Sequence, residues 1–203
     1  MKCFLYILLA ISLLTTLETR AQNLTDNDRL DMAIDYFQSS KYNEALNIFE
    51  DLERRHKLNP RYLAYMGLCY YYEWEFKKAY EHFEKSLPAL EKFSPQELSV
   101  YHFACAESYF ALEKYNEATP FYEKALSLCY DNEKGDIYFR LGFCYIQREE
   151  WQRARNYLQL SQNFYLSHRN TEDLQARLRQ IENMIQGCTD KIMSLDNHIV
   201  TDE

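Results

Sequence analysis

The 203-residue chain is poor in the residues that make turns, with four glycines and four prolines, about a third of their average combined usage of about 12%. β-Sandwiches, barrels, collagen-like chains and low-complexity linkers all need frequent Gly or Pro punctuation or a biased repeat, so they are excluded as default readings. Positive charge is also in deficit. Lys and Arg number 23 against 31 Asp and Glu, a formal net charge of -8, which argues against a partner made of phosphates or anionic lipid. Catalytic patterns are missing: there is no His-Glu-x-x-His pair, no Ser framed by glycines and no glycine-rich phosphate loop. His56, His82, His102, His168 and His198 are scattered. His102 and Cys105 stand three apart, half a zinc site by spacing, but both fall on a core stripe where packing explains them. No catalytic residue, metal or cofactor is expected.

What is present is a helical, globular composition, 47% hydrophobic and 27% charged, with 18 Tyr and 12 Phe against two Trp. The N-terminus stands apart from it. Lys2 precedes a twelve-residue apolar run from Cys3 to Leu14, and Thr19-Arg20-Ala21 then leads into Gln22. A basic start, a short apolar core and small residues before a polar one read as a secretory signal peptide over 1–21, cleaved after Ala21, with an uncleaved N-terminal anchor as the alternative. The run is shorter than the roughly 20 residues of a membrane span, and no second such run follows. The chain is therefore expected to be exported, periplasmic or secreted, with no integral membrane span after cleavage.

One pattern recurs four times in the remainder: an apolar residue, an apolar and a small residue together, then Tyr. Its copies are Met32-Ala33 with Tyr36, Leu63 with Met66-Gly67 and Tyr70, His102 with Cys105-Ala106 and Tyr109, and Tyr138 with Leu141-Gly142 and Tyr145. Twelve residues after each small residue comes an alanine: Ala45, Ala79, Ala118, Ala154. An aromatic stands three before each (Tyr42, Phe76, Tyr115, Trp151), and a bulky residue four after (Phe49, Phe83, Tyr122, Leu158). The alanines are 34, 39 and 36 residues apart.

This layout resembles the tetratricopeptide repeat (TPR) family, whose unit is a 34-residue helix–turn–helix. The resemblance implies an all-α, right-handed α-solenoid of about four repeats, near 26–59, 60–98, 99–134 and 135–170. Helix-start signals agree: Asn59-Pro60 and Ser94-Pro95-Gln96-Glu97 place a cap residue before Pro, the second as a capping box, and Thr25 and Asn170 are further caps. Pro120 requires its helix to begin near Glu117. Leu174, Leu178, Ile181 and Ile185 form one stripe of a capping helix over 171–187 that should stop at Gly187, leaving 188–203 as a flexible tail.

The first helices of the repeats are apolar nearly all round. Opposite the stripe that packs on its own repeat, each carries a second one: Leu30, Ile34 and Phe37; then Tyr65, Leu68, Tyr71 and Tyr72; then Phe103 and Phe110, interrupted by Glu107; then Phe139 and Phe143. In TPR arrays that side lines the concave groove where peptides bind, so the resemblance implies an aromatic groove. Arg61 and Arg140 are its cations, opposed by Asp31, Glu107 and Asp136. The carboxylate clamp of some TPR proteins is absent, since Leu30, Ile34, Tyr65 and Ala104 occupy the corresponding places. The expected function is a non-enzymatic scaffold that holds a peptide or helix of another exported protein. A glycan- or small-ligand-binding module and homo-oligomerisation through the groove are the alternatives. Disulfide pairing among Cys69, Cys105, Cys129, Cys144 and Cys188 is left open, with buried free thiols as the default.

Overall fold

The computed structural model describes residues 24–168 and 172–201. The signal-peptide reading of 1–21 and the Asn170 cap lie outside them. Among the described residues there are nine α-helices and no strand. The chain divides into two compact units, residues 1–58 and 59–203.

The first unit is the hairpin of α1 (Asp26–Gln38) and α2 (Tyr42–Arg55). Thr25 caps α1 as expected: its hydroxyl accepts from the Asp28 amide at 3.1 Å, and the Asp28 carboxylate accepts from the Thr25 amide at 2.9 Å. Ala33 and Ala45 are fully buried, so the two helices meet at the repeat's small positions. Beside them Asp51 lies 2.6 Å from Arg29 and 2.8 Å from Arg55. Hydrogen bonds from Arg29 and Arg54 hold its carboxyl down at about 2.

The second unit runs α3 (Pro60–Tyr72), α4 (Phe76–Ser86), α5 (Pro95–Ala111), α6 (Tyr115–Leu128), α7 (Lys134–Gln147), α8 (Trp151–His168) and α9 (Glu172–Thr201). Each helix packs on the next. The small residues permit this. A Cβ on Gly67 would lie 2.9 Å from the Phe83 ring, and one on Gly142 would lie 2.7 Å from Leu158 Cγ. Gly135 faces the Phe164 ring still more closely.

The turn inside every hairpin, in both units, is built alike and without glycine. Ser40, Trp74, Glu113 and Glu149 have φ of 58°, 64°, 58° and 57°, the left-handed region that usually costs an L-residue about 1–2 kcal/mol. Each is followed by an amide that donates back to the carbonyl of the repeat tyrosine: Lys41 to Tyr36 at 2.8 Å, Glu75 to Tyr70 at 2.9 Å, Lys114 to Tyr109 at 3.0 Å and Glu150 to Tyr145 at 2.9 Å. These are Schellman motifs, and they explain how so few glycines serve so many turns.

Tyrosines also tie successive hairpins together. The Tyr109 hydroxyl on α5 donates to Glu84 on α4 at 2.5 Å, and Tyr145 on α7 donates to Glu123 on α6 at 2.7 Å. Tyr80 stacks on Tyr109 with centroids 4.3 Å apart. Lys114 lies over both rings.

Three local expectations need correction. Ser94 caps α5 through the Glu97 amide at 3.2 Å, but the capping box does not close, because the Glu97 carboxylate is held by Arg61 at 2.8 Å and by Tyr101 at 2.6 Å. Helix α6 begins at Tyr115, two residues earlier than Pro120 was thought to require, so that proline sits inside it. The shared turn geometry fixes this start, since the repeat aromatics Tyr42, Phe76, Tyr115 and Trp151 are each the first residue of a helix. Finally, the closing helix does not stop at Gly187. It continues to Thr201, so 188–201 is helix, not tail. Leu174, Ile181 and Cys188 are all buried, and this seven-residue period carries the helix past a glycine that has nothing within 4 Å of its Cβ position.

Candidate functional site

Four expected groove residues converge on one hollow in the second unit. Tyr71 and Tyr72, on the last turn of α3, face Phe110 on α5 and Arg140 on α7, and with Trp74, Phe76, Glu107 and Ala111 they enclose about 390 Å³. Its floor is electrostatically closed. Arg140 pairs with Glu107 through two contacts, Nε to Oε1 at 2.7 Å and Nη2 to Oε2 at 2.8 Å, and its guanidinium lies 4.5 Å from the Phe110 ring centroid. The Tyr122 hydroxyl from α6 donates to the same carboxylate. Burial opposes the Arg140 charge, but the Glu107 carboxylate outweighs it and holds the guanidinium above its ordinary value. Burial, reinforced by Glu107, pushes the Tyr71 phenol up as well.

The rim is open. Tyr72 is 47% exposed and Trp74 is 79% exposed. Trp74 sits at the left-handed position of its turn, with its ring 5.8 Å from Phe76. Sequence reasoning did not place Trp74 or Phe76 in the site. The available signal was register: Trp74 aligns with Ser40, Glu113 and Glu149, two residues before each repeat aromatic, and is the one apolar residue among the four.

The other expected residues are distributed differently. Phe103 lines a separate hollow of about 350 Å³ with Val100, Cys129 and Ile137. Phe143 packs on Phe110 and Tyr115, centroids 5.2 and 5.8 Å away. Tyr65 is half-buried beside Arg61, whose charge is committed to Glu97. Leu68 and Phe139 must be removed from the groove: they are 6% and 5% exposed, and Arg177 from α9 covers the Phe139 ring at 4.3 Å. Helices stacked in series bury both flanks, and the outer apolar stripe does not reveal which of its positions a neighbour covers. Leu30, Ile34 and Phe37 are half-buried on α1 in the first unit.

A larger hollow, about 780 Å³, lies elsewhere, between α4, α5 and α6, and includes Phe93, Leu98, His102, Phe121 and Lys124. Among the described residues, no three His, Cys, Asp or Glu side chains group as metal ligands, and the five cysteines are free thiols. Burial raises Cys69 and Cys144 to about 12, which makes them unreactive at neutral pH. No described helix is long and apolar enough to cross a membrane.

The architecture is that of a helical-hairpin repeat protein, in which paired helices recur in series and the repeat's small residues let them touch. Residues 109–178 match the tetratricopeptide repeat family model. The MamA fragment from residue 41 onward, from Desulfovibrio magneticus RS-1, is similar at a TM-score of 0.61 and 13% identity over 88% of this chain and 97% of that one. The apo form of RapI is similar at 0.60 and 14% identity, over 87% of this chain and 67% of that one. The C-terminal part of a TPR repeat-containing protein from Cytophaga hutchinsonii is similar at 0.60 and 17% identity, over 82% and 64%. No curated protein sequence matches. At these identities the likeness is one of fold.

Proposed function

We propose that this chain is a non-enzymatic scaffold of the exported compartment that seats a segment of a partner protein in the hollow walled by Tyr71, Trp74, Phe110 and Arg140. The observation that carries the reading is Trp74. A large apolar ring is displayed to solvent from a backbone conformation that disfavours it, at a position where the other three repeats hold Ser or Glu. Exposed Trp and Tyr are the residues that anchor interfaces. The hollow's cation is already neutralised by Glu107, and exposed Glu73, Glu75 and Glu113 lie around the same turns, so the fitting partner carries an apolar anchor with neutral or basic neighbours. Trp74 and Tyr72 also favour a second reading, stacking on a sugar ring.

The test is a photo-crosslinking amino acid at Tyr72, with Lys92 as an exposed control, expressed in the native host. A defined adduct from position 72 that is lost in Trp74→Ala supports the scaffold. The absence of any protein adduct, together with binding on a glycan array that Trp74→Ala abolishes, would replace it with the sugar reading. Mass spectrometry of the exported chain tests the leader, with a first residue of Gln22 expected.

A further inference from the structure

The joint between α4 and α5 is longer than its counterpart between α6 and α7. Residues 87–94 connect the first pair of helices, where 129–133 connect the second, and this extension is what sets Ala79 and Ala118 39 residues apart. It is held firmly. A single 3-10 turn, Leu87–Ala89, leads into Leu90, which is fully buried and whose carbonyl accepts from the Phe93 amide at 2.8 Å. The Arg61 guanidinium, itself fixed by Glu97, lies 5.3 Å from the Phe93 ring centroid. Between this extension and α4, α5 and α6 opens the hollow of about 780 Å³. Its lining is mainly apolar, with Leu87, Phe93, Leu98, Phe121 and Leu128 among its walls, and Phe121 is braced by stacking on Tyr109 at 5.6 Å. Two polar groups in it lack partners. Lys124, exposed on α6, forms no ion pair among the described residues. The Nδ1 of His102 is buried and has no hydrogen-bond partner there either, a rare condition for a polar atom in a native structure. The two groups are neighbours, since the Lys124 charge adds to burial in lowering His102.

We propose that this hollow binds a small apolar monocarboxylate of the size of a medium-chain fatty acid, with its carboxylate between Lys124 and His102 and its chain against Leu87, Phe93 and Phe121. The site is separate from the aromatic hollow and does not rest on the scaffold reading. The lining selects this class of ligand. A carboxylate gives Lys124 the counter-charge it lacks and offers the imidazole an acceptor, in bonds strengthened by charge. A single cation matches a single negative charge. Glu84 on α4 and Glu91 on the extension also line the hollow, and they would repel the second charge of a phosphate head group. The Tyr109 hydroxyl engages Glu84 at 2.5 Å, so that carboxylate is not available to turn toward Lys124. The volume falls within the roughly 300–1,000 Å³ of small-molecule sites, whose usual makeup is an apolar wall with a few convergent polar groups.

Isothermal titration calorimetry of the chain with decanoate, decanol and decyl phosphate tests this. Decanoate should bind at one site with a Kd of about 100 µM, in keeping with the affinity per non-hydrogen atom of a ligand its size. Decanol and decyl phosphate should each bind at least about tenfold more weakly. Lys124→Met should weaken decanoate at least about tenfold with helicity unchanged, because the side chain is exposed. Glu91→Gln should strengthen decyl phosphate several-fold, and Trp74→Ala should leave decanoate binding as it is. Decanoate that fails to bind at about 5 mM, binds no better than decanol, or binds the Lys124→Met variant as tightly as the parent overturns the proposal. So does tighter binding of decyl phosphate, or a loss of decanoate binding in Trp74→Ala, which would place the ligand in the aromatic hollow.

Discussion

Substituting alanine for glycine should have opposite effects at two helical positions of this chain. At Gly142, on α7, the added methyl carbon would lie 2.7 Å from Leu158 Cγ, 2.8 Å from Cδ2 and 3.4 Å from the Ala154 carbonyl oxygen. Leu158 is fully buried, so the methyl can be accommodated only if α7 and α8 separate or Leu158 leaves its rotamer. Overpacking of this kind costs about 1–3 kcal/mol, against a helix-propensity gain of about 1 kcal/mol for replacing Gly. Gly142→Ala should therefore destabilise by up to about 2 kcal/mol. At Gly187 the same methyl meets nothing within 4 Å, and only the propensity gain of about 1 kcal/mol remains. Urea and thermal unfolding followed by far-ultraviolet circular dichroism measure both, and the midpoint temperatures should move apart by roughly 2–4 °C per kcal/mol. A Gly142→Ala variant as stable as the parent would refute the claim that paired helices touch at the repeat's small residue.

The floor of the aromatic hollow and its pH response can be tested in the same way. Arg140→Met leaves the Glu107 carboxylate, 12% exposed, without its cation and should cost about 2 kcal/mol, less than a fully buried pair because both groups retain some solvent. Glu107→Gln in the Arg140→Met background should recover part of that loss in the same urea assay. His102 is held at about 4 by burial and then by Lys124, so between pH 6.5 and 4 the unfolded chain takes up a proton that the folded chain refuses. Stability should be complete above pH 6.5 and fall by about 2 kcal/mol toward pH 4. His102→Leu should flatten that slope in denaturation curves at pH 7.5, 5.5 and 4.

Much of the fold was legible because the repeat's physical demands are local. A pair of backbones in contact needs Gly or Ala at a fixed offset, and Gly67 with Ala79 and Gly142 with Ala154 provide it. Cap residues before proline mark the starts of α3 and α5. What escaped was set by three-dimensional context. Glu97 looks like a capping residue, but Arg61, 36 residues earlier in sequence, reaches it first. Gly187 looks like a stop, but the seam on the opposite side of α9 outweighs one weak helix former. In the site, the aromatic character of Tyr71, Tyr72 and Phe110 was visible from spacing, whereas the burial of Leu68 and Phe139 depends on which neighbour covers each flank. Trp74 escaped because a left-handed turn position is ordinarily sought through glycine or asparagine.

The Tyr109–Glu84 and Tyr145–Glu123 bonds have a mechanical consequence. Each fastens the second helix of one hairpin to the first helix of the next, and each is flanked by ring stacking, so the joints between neighbours are latched as well as greased. A latched array flexes as one piece. The walls around Trp74 are drawn from three successive hairpins, α3–α4, α5–α6 and α7, so they hold their spacing before any guest arrives, and docking surrenders little internal freedom on the host's side.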